Sequence, residues 1–353
     1  MNGITKKIFV VFILLSFSYS VYSQHDTLNR VDKFGKKYGY WKKYQDNGKL
    51  LWEGRFYNGE PVGDMYRYYP NGKMESHSKY YPNSPKVATI TYHSNGKKAS
   101  EGIFINKKKD GQWVYYSNKG ILISKEQWKV GVLDGKSCIY SPTDGVLLEE
   151  STWQQGKLHG DFKTYYTNGQ LRTSFAYNHN IIHGKYASFY VNGQQWTNGQ
   201  YVDGFREGTW TTLDSNGQEL KIEDFVKDYA VKTILGFQTD NQWIKLNANS
   251  IAYFYYEADQ LMIQLYNKKK LPVYRTTLAD IYRLTGVELF VFLSEQILSS
   301  YTAIRKVEEL TEDDVPMAKI TLHPRFSYDV IVSGDSYQNI KSLLNPTSPD
   351  DVK

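Results

Sequence analysis

Cysteine is nearly missing: Cys138 is the only one in 353 residues, so no intramolecular disulfide can form and stability must come from packing. Long apolar runs are just as scarce. Beyond IFVVFILL at residues 8–15, nothing approaches the roughly 20 apolar residues that a membrane-spanning helix needs. A strong charge of one sign is also lacking. The formal balance is +6, falling to +4 once Lys6 and Lys7 are removed, which excludes a dense basic footprint for nucleic acid. The lysine runs 107–109 and 268–270 therefore read as solvated loop charges. Several chemistries lack their residues as well. There is no G-x-S-x-G, no Gly-rich cofactor loop, and no glutamate between His179 and His183 to make a zincin pair.

At the N-terminus, Lys6 and Lys7 precede the apolar run and SFSYSVYS follows it, the pattern of a secretory signal peptide. Residues 1–23 are expected to be that signal, cut after Ser23 or, alternatively, after Ser20. A linker over 24–35 follows. The expected mature protein is soluble and secreted or periplasmic, with no transmembrane span and no nucleic-acid partner.

What the chain has in abundance is one phrase, repeated. YYTNGQL at 165–171 echoes YYPNGKM at 68–74, YQDNGKL at 44–50 and FYVNGQQ at 189–195. Gly48, Gly72, Gly96, Gly120, Gly145, Gly169, Gly193 and Gly217 are spaced 24, 24, 24, 25, 24, 24 and 24 residues apart. A fixed period of this length marks a repeat architecture, here over 36–228. Asn47, Asn71, Asn95, Asn168, Asn192 and Asn216 precede six of those glycines, and Asp144 precedes a seventh. These dipeptides predict type I′ hairpin turns with two-residue loops, pairing Tyr44 with Leu51, Tyr116 with Ile123, Phe189 with Trp196 and Leu213 with Leu220. Eight residues after each turn glycine stands an aromatic, from Phe56 to Phe225. Another glycine precedes the turn by nine, at 39, 63, 111, 160, 184 and 208, where the chain must bend or let a ring lie on bare backbone. The expected fold is mainly β, an elongated antiparallel sheet of about eight 24-residue hairpins followed by a small α+β domain.

Segments such as GYWKKYQDNG (39–48), GQWVYYSNKG (111–120), GDFKTYYTNG (160–169) and GTWTTLDSNG (208–217) make the array resemble the bacterial variant of the MORN repeat. That resemblance implies an extended antiparallel scaffold, with phospholipid binding or dimerisation known among similar arrays. Antitoxin labels attached to bacterial variants fit poorly with an exported chain.

From about 229 to 345 the period stops. WIKLN, IAYFYYE and QLMIQLY read as strands, and TTLADIYRLTG as a helix capped by Thr277 and stopped at Gly286. VELFVFLSEQIL is compatible with helix or strand. MAKITLH and SYDVIVS pair as a hairpin before a helix over 335–344, and residues 346–353 form a disordered tail. The module is placed to cap the last hairpin.

For function, His159 and His183 read as turn residues rather than metal ligands, Cys138 lacks a basic partner, and Glu149 and Glu150 point apart on a strand. No catalytic residue, metal site or cofactor is expected. Candidate binding-face aromatics are Trp41, Tyr44, Trp113, Tyr116, Trp128, Trp153 and Trp210. The leading expectation is a non-enzymatic scaffold for an envelope or secreted protein; the alternative is an envelope protein that binds a lipid headgroup or glycan through aromatic and basic residues on one sheet face.

Overall fold

The computed structural model describes residues 28–312 and 315–344; the expected signal (1–23), the start of the linker and the tail lie outside them. The chain divides into two compact units, one ending at Lys98 and one beginning at Ala99.

Both units are built from antiparallel hairpins, numbered 1 to 8 here by their turn glycines. In the first unit, Lys37–Tyr44 pairs with Leu50–Tyr57 and Glu60–Tyr68 with Met74–Tyr80, and each strand also pairs with the next in chain order up to Lys86–Tyr92. In the second, the same order runs from Lys98–Ile105 through hairpins 4 (Lys108–Tyr116, Leu122–Lys129), 5 (Gly135–Tyr140, Leu147–Gln154), 6 (Lys157–Tyr165, Leu171–Asn178), 7 (Ile181–Phe189, Gln195–Val202) and 8 (Phe205–Leu213, Glu219–Val226).

The Asn-Gly turns differ from expectation. At the first of them the backbone N–H of Gly48 donates to Gln45 and that of Gln45 to Lys49, at 2.9 and 2.8 Å, closing a three-residue loop. Only the glycine takes a positive φ, +77° at Gly48 and +86° at Gly72 and Gly217, which is the hairpin with a glycine bulge rather than type I′. Register shifts accordingly: Tyr44 faces Leu50, Tyr116 faces Leu122, Phe189 faces Gln195 and Leu213 faces Glu219. Asparagine is used for its amide. Asn71 Oδ1 accepts from the backbone of Lys73 at 2.9 Å while its Nδ2 donates to the Ser94 carbonyl of the following turn at 2.9 Å. Asn168 and Asn192 repeat both bonds. The tyrosine three before the turn glycine adds a second tie, with the hydroxyls of Tyr69, Tyr166 and Tyr190 donating to the carbonyls of Tyr92, Phe189 and Leu213 at 2.7 to 2.8 Å.

Two-residue loops with positive φ at both centres lie at the opposite ends, between hairpins: Asn58-Gly59, Asn106-Lys107, His179-Asn180 and Asp203-Gly204. Lysine and histidine are poor indicators of such a turn, which is why the pattern hid them. The glycines nine before each turn do bend the strand, with φ from +68° to +92° at 39, 63, 111, 160, 184 and 208. A ring on bare backbone belongs to other glycines. A Cβ on Gly102 would meet the Trp113 ring at 2.3 Å, and one on Gly199 would meet Trp210 at 2.2 Å.

Tyr229–Gln238 and Trp243–Asn247 add a ninth, non-periodic hairpin that pairs on hairpin 8. It is also a wall of the C-terminal core: Leu235 and Phe237 pack with Ile251, Phe254, Leu261, Ile263 and the helix α1 (Leu278–Thr285). IAYFYYE is buried on both faces because Phe254 points into this cluster and Tyr253 and Tyr255 into a second one, as expected of a central strand. That second cluster is closed by a three-stranded sheet (Ile304–Glu312, Val315–Leu322, Val330–Ser333) and α2 (Gly334–Leu344), through Ala318, Ile320, Val332 and Ile340. The ambiguous VELFVFLSEQIL resolves to two strands, Phe290–Ser294 and Ile297–Ser300. Strand Ile304–Glu312, with its mixed charges, was not apparent in the sequence. No helix among the described residues is long and apolar enough to cross a membrane.

Candidate binding face

Within each unit, strand alternation sorts the repeat positions onto two faces. One carries the residues seven before and eight after the turn glycine: Trp41 and Phe56, Trp113 and Trp128, Phe162 and Tyr177, Tyr186 and Tyr201, Trp210 and Phe225. These rings pack edge to face, as for Trp113 on Phe104 at 4.7 Å and Tyr201 on Trp210 at 5.0 Å. Of the seven expected binding-face aromatics, Trp113, Trp128, Trp153 and Trp210 share this face in the second unit and Trp41 occupies it in the first. Tyr44 and Tyr116 lie on the opposite face of their own units, because each stands three residues from Trp41 or Trp113 along an uninterrupted strand. Trp113 and Trp210 are 3% and 7% exposed, so they serve as core more than as contact surface.

The opposite face carries hydroxyls and carboxylates. Tyr68 and Tyr40 donate to Glu53 at 2.7 and 2.8 Å, Tyr116 to Glu101 at 3.0 Å and Tyr165 to Glu150 at 2.9 Å. Burial works against the charge on Glu53, but Tyr68, Tyr40 and Lys42 outweigh it and hold the carboxyl below its ordinary range. Lys136, at 2.6 Å, does the same for Glu150. Burial pushes the Tyr40 hydroxyl up to about 12, aided by Glu53. Glu149, on the ring face, is pushed up by burial alone. The two neighbours therefore titrate with opposite consequences. The stability from Glu150 is fully present above the unfolded glutamate value of about 4.3 and is lost as pH falls through its lower folded value. The penalty from charged Glu149 is present at neutral pH and relieved as pH falls through its raised value. Glu150→Gln should therefore lower, and Glu149→Gln raise, the melting temperature at pH 7. Melting curves of both variants check the signs, and the two differences shrink toward acid pH.

Two ring clusters are closed by the chain's own ammonium groups. Lys37 Nζ lies 4.8, 4.7 and 4.8 Å from the centroids of Trp41, Trp52 and Phe56, and Lys109 Nζ lies 5.0, 5.0 and 4.4 Å from those of Trp113, Tyr115 and Trp128. Hairpins 7 and 8 are closed less completely: Ile182 takes that position in hairpin 7, and in hairpin 8 Arg206 lies 4.0 Å from the centroid of Phe225. There the ring face opens into a hollow of about 290 Å³ lined by Tyr186, Ser188, Trp196, Thr197, Tyr201, Arg206, Trp210, Thr212, Glu223 and Phe225. Ser188, Thr197 and Thr212 are small side chains at positions that hold Lys43 and Trp52 in hairpin 1 and Tyr115 in hairpin 4, and Gly199 lets Trp210 sink onto the backbone. Trp196, 48% exposed, stands beside it and 5.9 Å from Tyr190. Trp196, Tyr186, Arg206 and Glu223 were missed as site residues, and the Ser and Thr beside them gave no signal, since hairpin 6 carries Thr164 and Thr173 at the same positions. A larger hollow of about 620 Å³ in the C-terminal domain, between Ser294–Glu295 and Ser333–Ser336, offers one carboxylate, no cation and no histidine.

The histidines are placed otherwise than expected. His159 and His183 lie within strands rather than turns, and His159 stands 4.7 Å from His179, which occupies the connector turn. Among the described residues no three of His, Cys, Asp and Glu converge as metal ligands. Cys138, half-buried, pairs in register with Lys125 and Glu150.

The family model described as MORN repeat variant matches residues 61–83 and 158–179, which fall in hairpins 2 and 6. No curated protein matches the chain. Among solved structures, the LytTr DNA-binding domain of a protein described as a methyl-accepting/DNA response regulator from Bacillus cereus is 14% identical, with 31% of this chain and 94% of that chain covered and a TM-score of 0.25. A crystal structure of TcdB2-TccC3-TEV is 10% identical over 83% of this chain and only 16% of that one, with a TM-score of 0.18.

Proposed function

Because its array carries units of the MORN repeat variant, we propose that this chain is an exported, non-enzymatic interaction protein whose repeat sheet is a docking platform for a second protein. The supporting observation is a row of exposed apolar side chains on the face opposite the rings. Ile181, Phe205 and Tyr229 begin successive outgoing strands beside the connector turns, and Val226 is the cross-strand partner of Tyr229. They are 50%, 48%, 79% and 50% exposed. Successive members are two strand spacings apart, about 10 Å, so the row spans about 20 Å of surface. Contiguous apolar surface left in water is costly and marks contact sites for other macromolecules. Export is supported by Lys6, Lys7 and the apolar run behind them.

The test is photo-crosslinking in intact cells that express the full chain, with the crosslinker at Phe205 or Tyr229 and, as control, at Gln218 on the turn edge. One discrete adduct from the first two positions, in the envelope or medium fraction and lost on Ile181→Asp, is the expected result. No adduct, or the same products from Gln218, overturns the reading.

A further inference from the structure

We propose that the hollow on the ring face of hairpins 7 and 8 binds a neutral saccharide, one sugar ring seated against the half-exposed Trp196 over a floor that includes the buried Trp210. Its base is aromatic: Trp210 packs against Tyr186, Tyr201 and Phe225 with centroids 5.4, 5.0 and 6.4 Å away. Flat rings of this kind accept the C–H face of a pyranose, while its equatorial hydroxyls need polar groups at the margin.

The margin supplies them, and they are unspent. The hydroxyls of Tyr186 and Tyr201 have no hydrogen-bond partner among the described residues. Arg206 uses its Nε and backbone N–H on Asp228, at 3.1 and 2.7 Å, which leaves its terminal Nη donors for a ligand. Thr197 and Thr212 share one hydrogen bond of 3.2 Å and keep further acceptor capacity.

Charge narrows the class. Both charged groups in the lining are already neutralised by the chain, Arg206 by Asp228 at 3.1 Å and Glu223 by Lys221 at 3.0 Å. An anion would meet Glu223 and a cation would meet Arg206, whereas an uncharged polyol meets donors and acceptors without displacing either pair. Where this face does hold a cation between rings, at Lys37 and Lys109, the chain provides its own. Hairpin 7 has Ile182 at that position, and hairpin 8 has Arg206, whose guanidinium lies 4.0 Å from the Phe225 centroid.

Geometry disfavours a peptide. The strands flooring the hollow, Gln195–Val202 and Phe205–Leu213, are paired on both sides, so no row of free backbone groups is available to an extended chain. A volume of about 290 Å³ lies at the small end of the roughly 300–1,000 Å³ range for ligand sites, enough for one ring of a longer oligomer.

The inference does not rest on protein docking, since the apolar row lies on the other face. It is tested by titrating the full-length protein with cellohexaose, maltohexaose and chitohexaose, followed by tryptophan emission and calorimetry. Saturable millimolar or tighter binding of at least one of them is expected, with little change between low and high salt. Trp196→Ala should weaken it by roughly tenfold, the loss typical of truncating an aromatic anchor. The double variant Tyr186→Phe with Tyr201→Phe, which keeps the rings and removes only hydroxyls, should also weaken it, while Trp153→Phe, outside the hollow, should not. Unchanged melting temperatures establish that each variant is folded. Absence of saturable binding for all three oligosaccharides, or equal binding by the Trp196 and double-phenylalanine variants, overturns the proposal.

Discussion

Replacing Trp113 by alanine is expected to lower the unfolding free energy of the second unit by about 3–5 kcal/mol, the range for truncating a buried tryptophan. This indole is 3% exposed, lies on Phe104 at 4.7 Å, and donates from Nε1 to the Ile103 carbonyl at 3.1 Å. Beneath it Gly102 has no side chain with which to fill the vacancy, and above it Lys109 would lose one of its three rings. Collapse cannot repair such a site, because the strand that carries Trp113 is held in register by hydrogen-bonded neighbours on both sides. In a repeat array each unit is stabilised mainly by its neighbours, so the loss reaches the hairpins on either side. Urea denaturation followed by circular dichroism measures it. A shift below about 1 kcal/mol, the size expected of a surface substitution, would mean that the ring face is not a core.

The second large effect is expected from adding a single methyl. In Gly199→Ala the new Cβ would sit 2.2 Å from the Trp210 ring, closer than any real contact. Trp210 cannot swing away, being 7% exposed and bonded from Nε1 to the Gln200 carbonyl at 3.3 Å. Overpacking of this kind costs about 1–3 kcal/mol and more where the neighbour is rigid. The turn glycine Gly193 is a useful contrast. Its φ is +85° and the nearest atom to an added Cβ is 3.8 Å away, so Gly193→Ala carries only the left-handed strain of about 1–2 kcal/mol. Pairing Gly199→Ala with Trp210→Leu should recover part of the loss, and a double-mutant cycle from denaturation curves reads that coupling directly. Strictly additive costs would show that the two side chains do not compete for the same space.

By itself the sequence determined the hairpin array and its 24-residue step, since a turn is a local event: an Asn-Gly with strand residues on either side reverses the chain wherever it occurs. It determined α1 for the same reason, because Thr277 and Asp280 cap that helix through groups three residues apart. Only the tertiary structure decided the turn register, for which the asparagine amide that ties one turn to the next is as important as the glycine φ. The strand period had already set Tyr44 and Tyr116, three residues from Trp41 and Trp113, on the face away from the tryptophans. The extra residue of each turn, such as Leu51 or Ile123, sits in the returning strand, and a bulge arises from pairing rather than from composition. The hollow at hairpins 7 and 8 belongs to the same category. Its lining comes from four strands, and whether Ser188, Thr197 and Thr212 leave a gap depends on what stands beside them across the sheet, which spacing along a single chain does not encode.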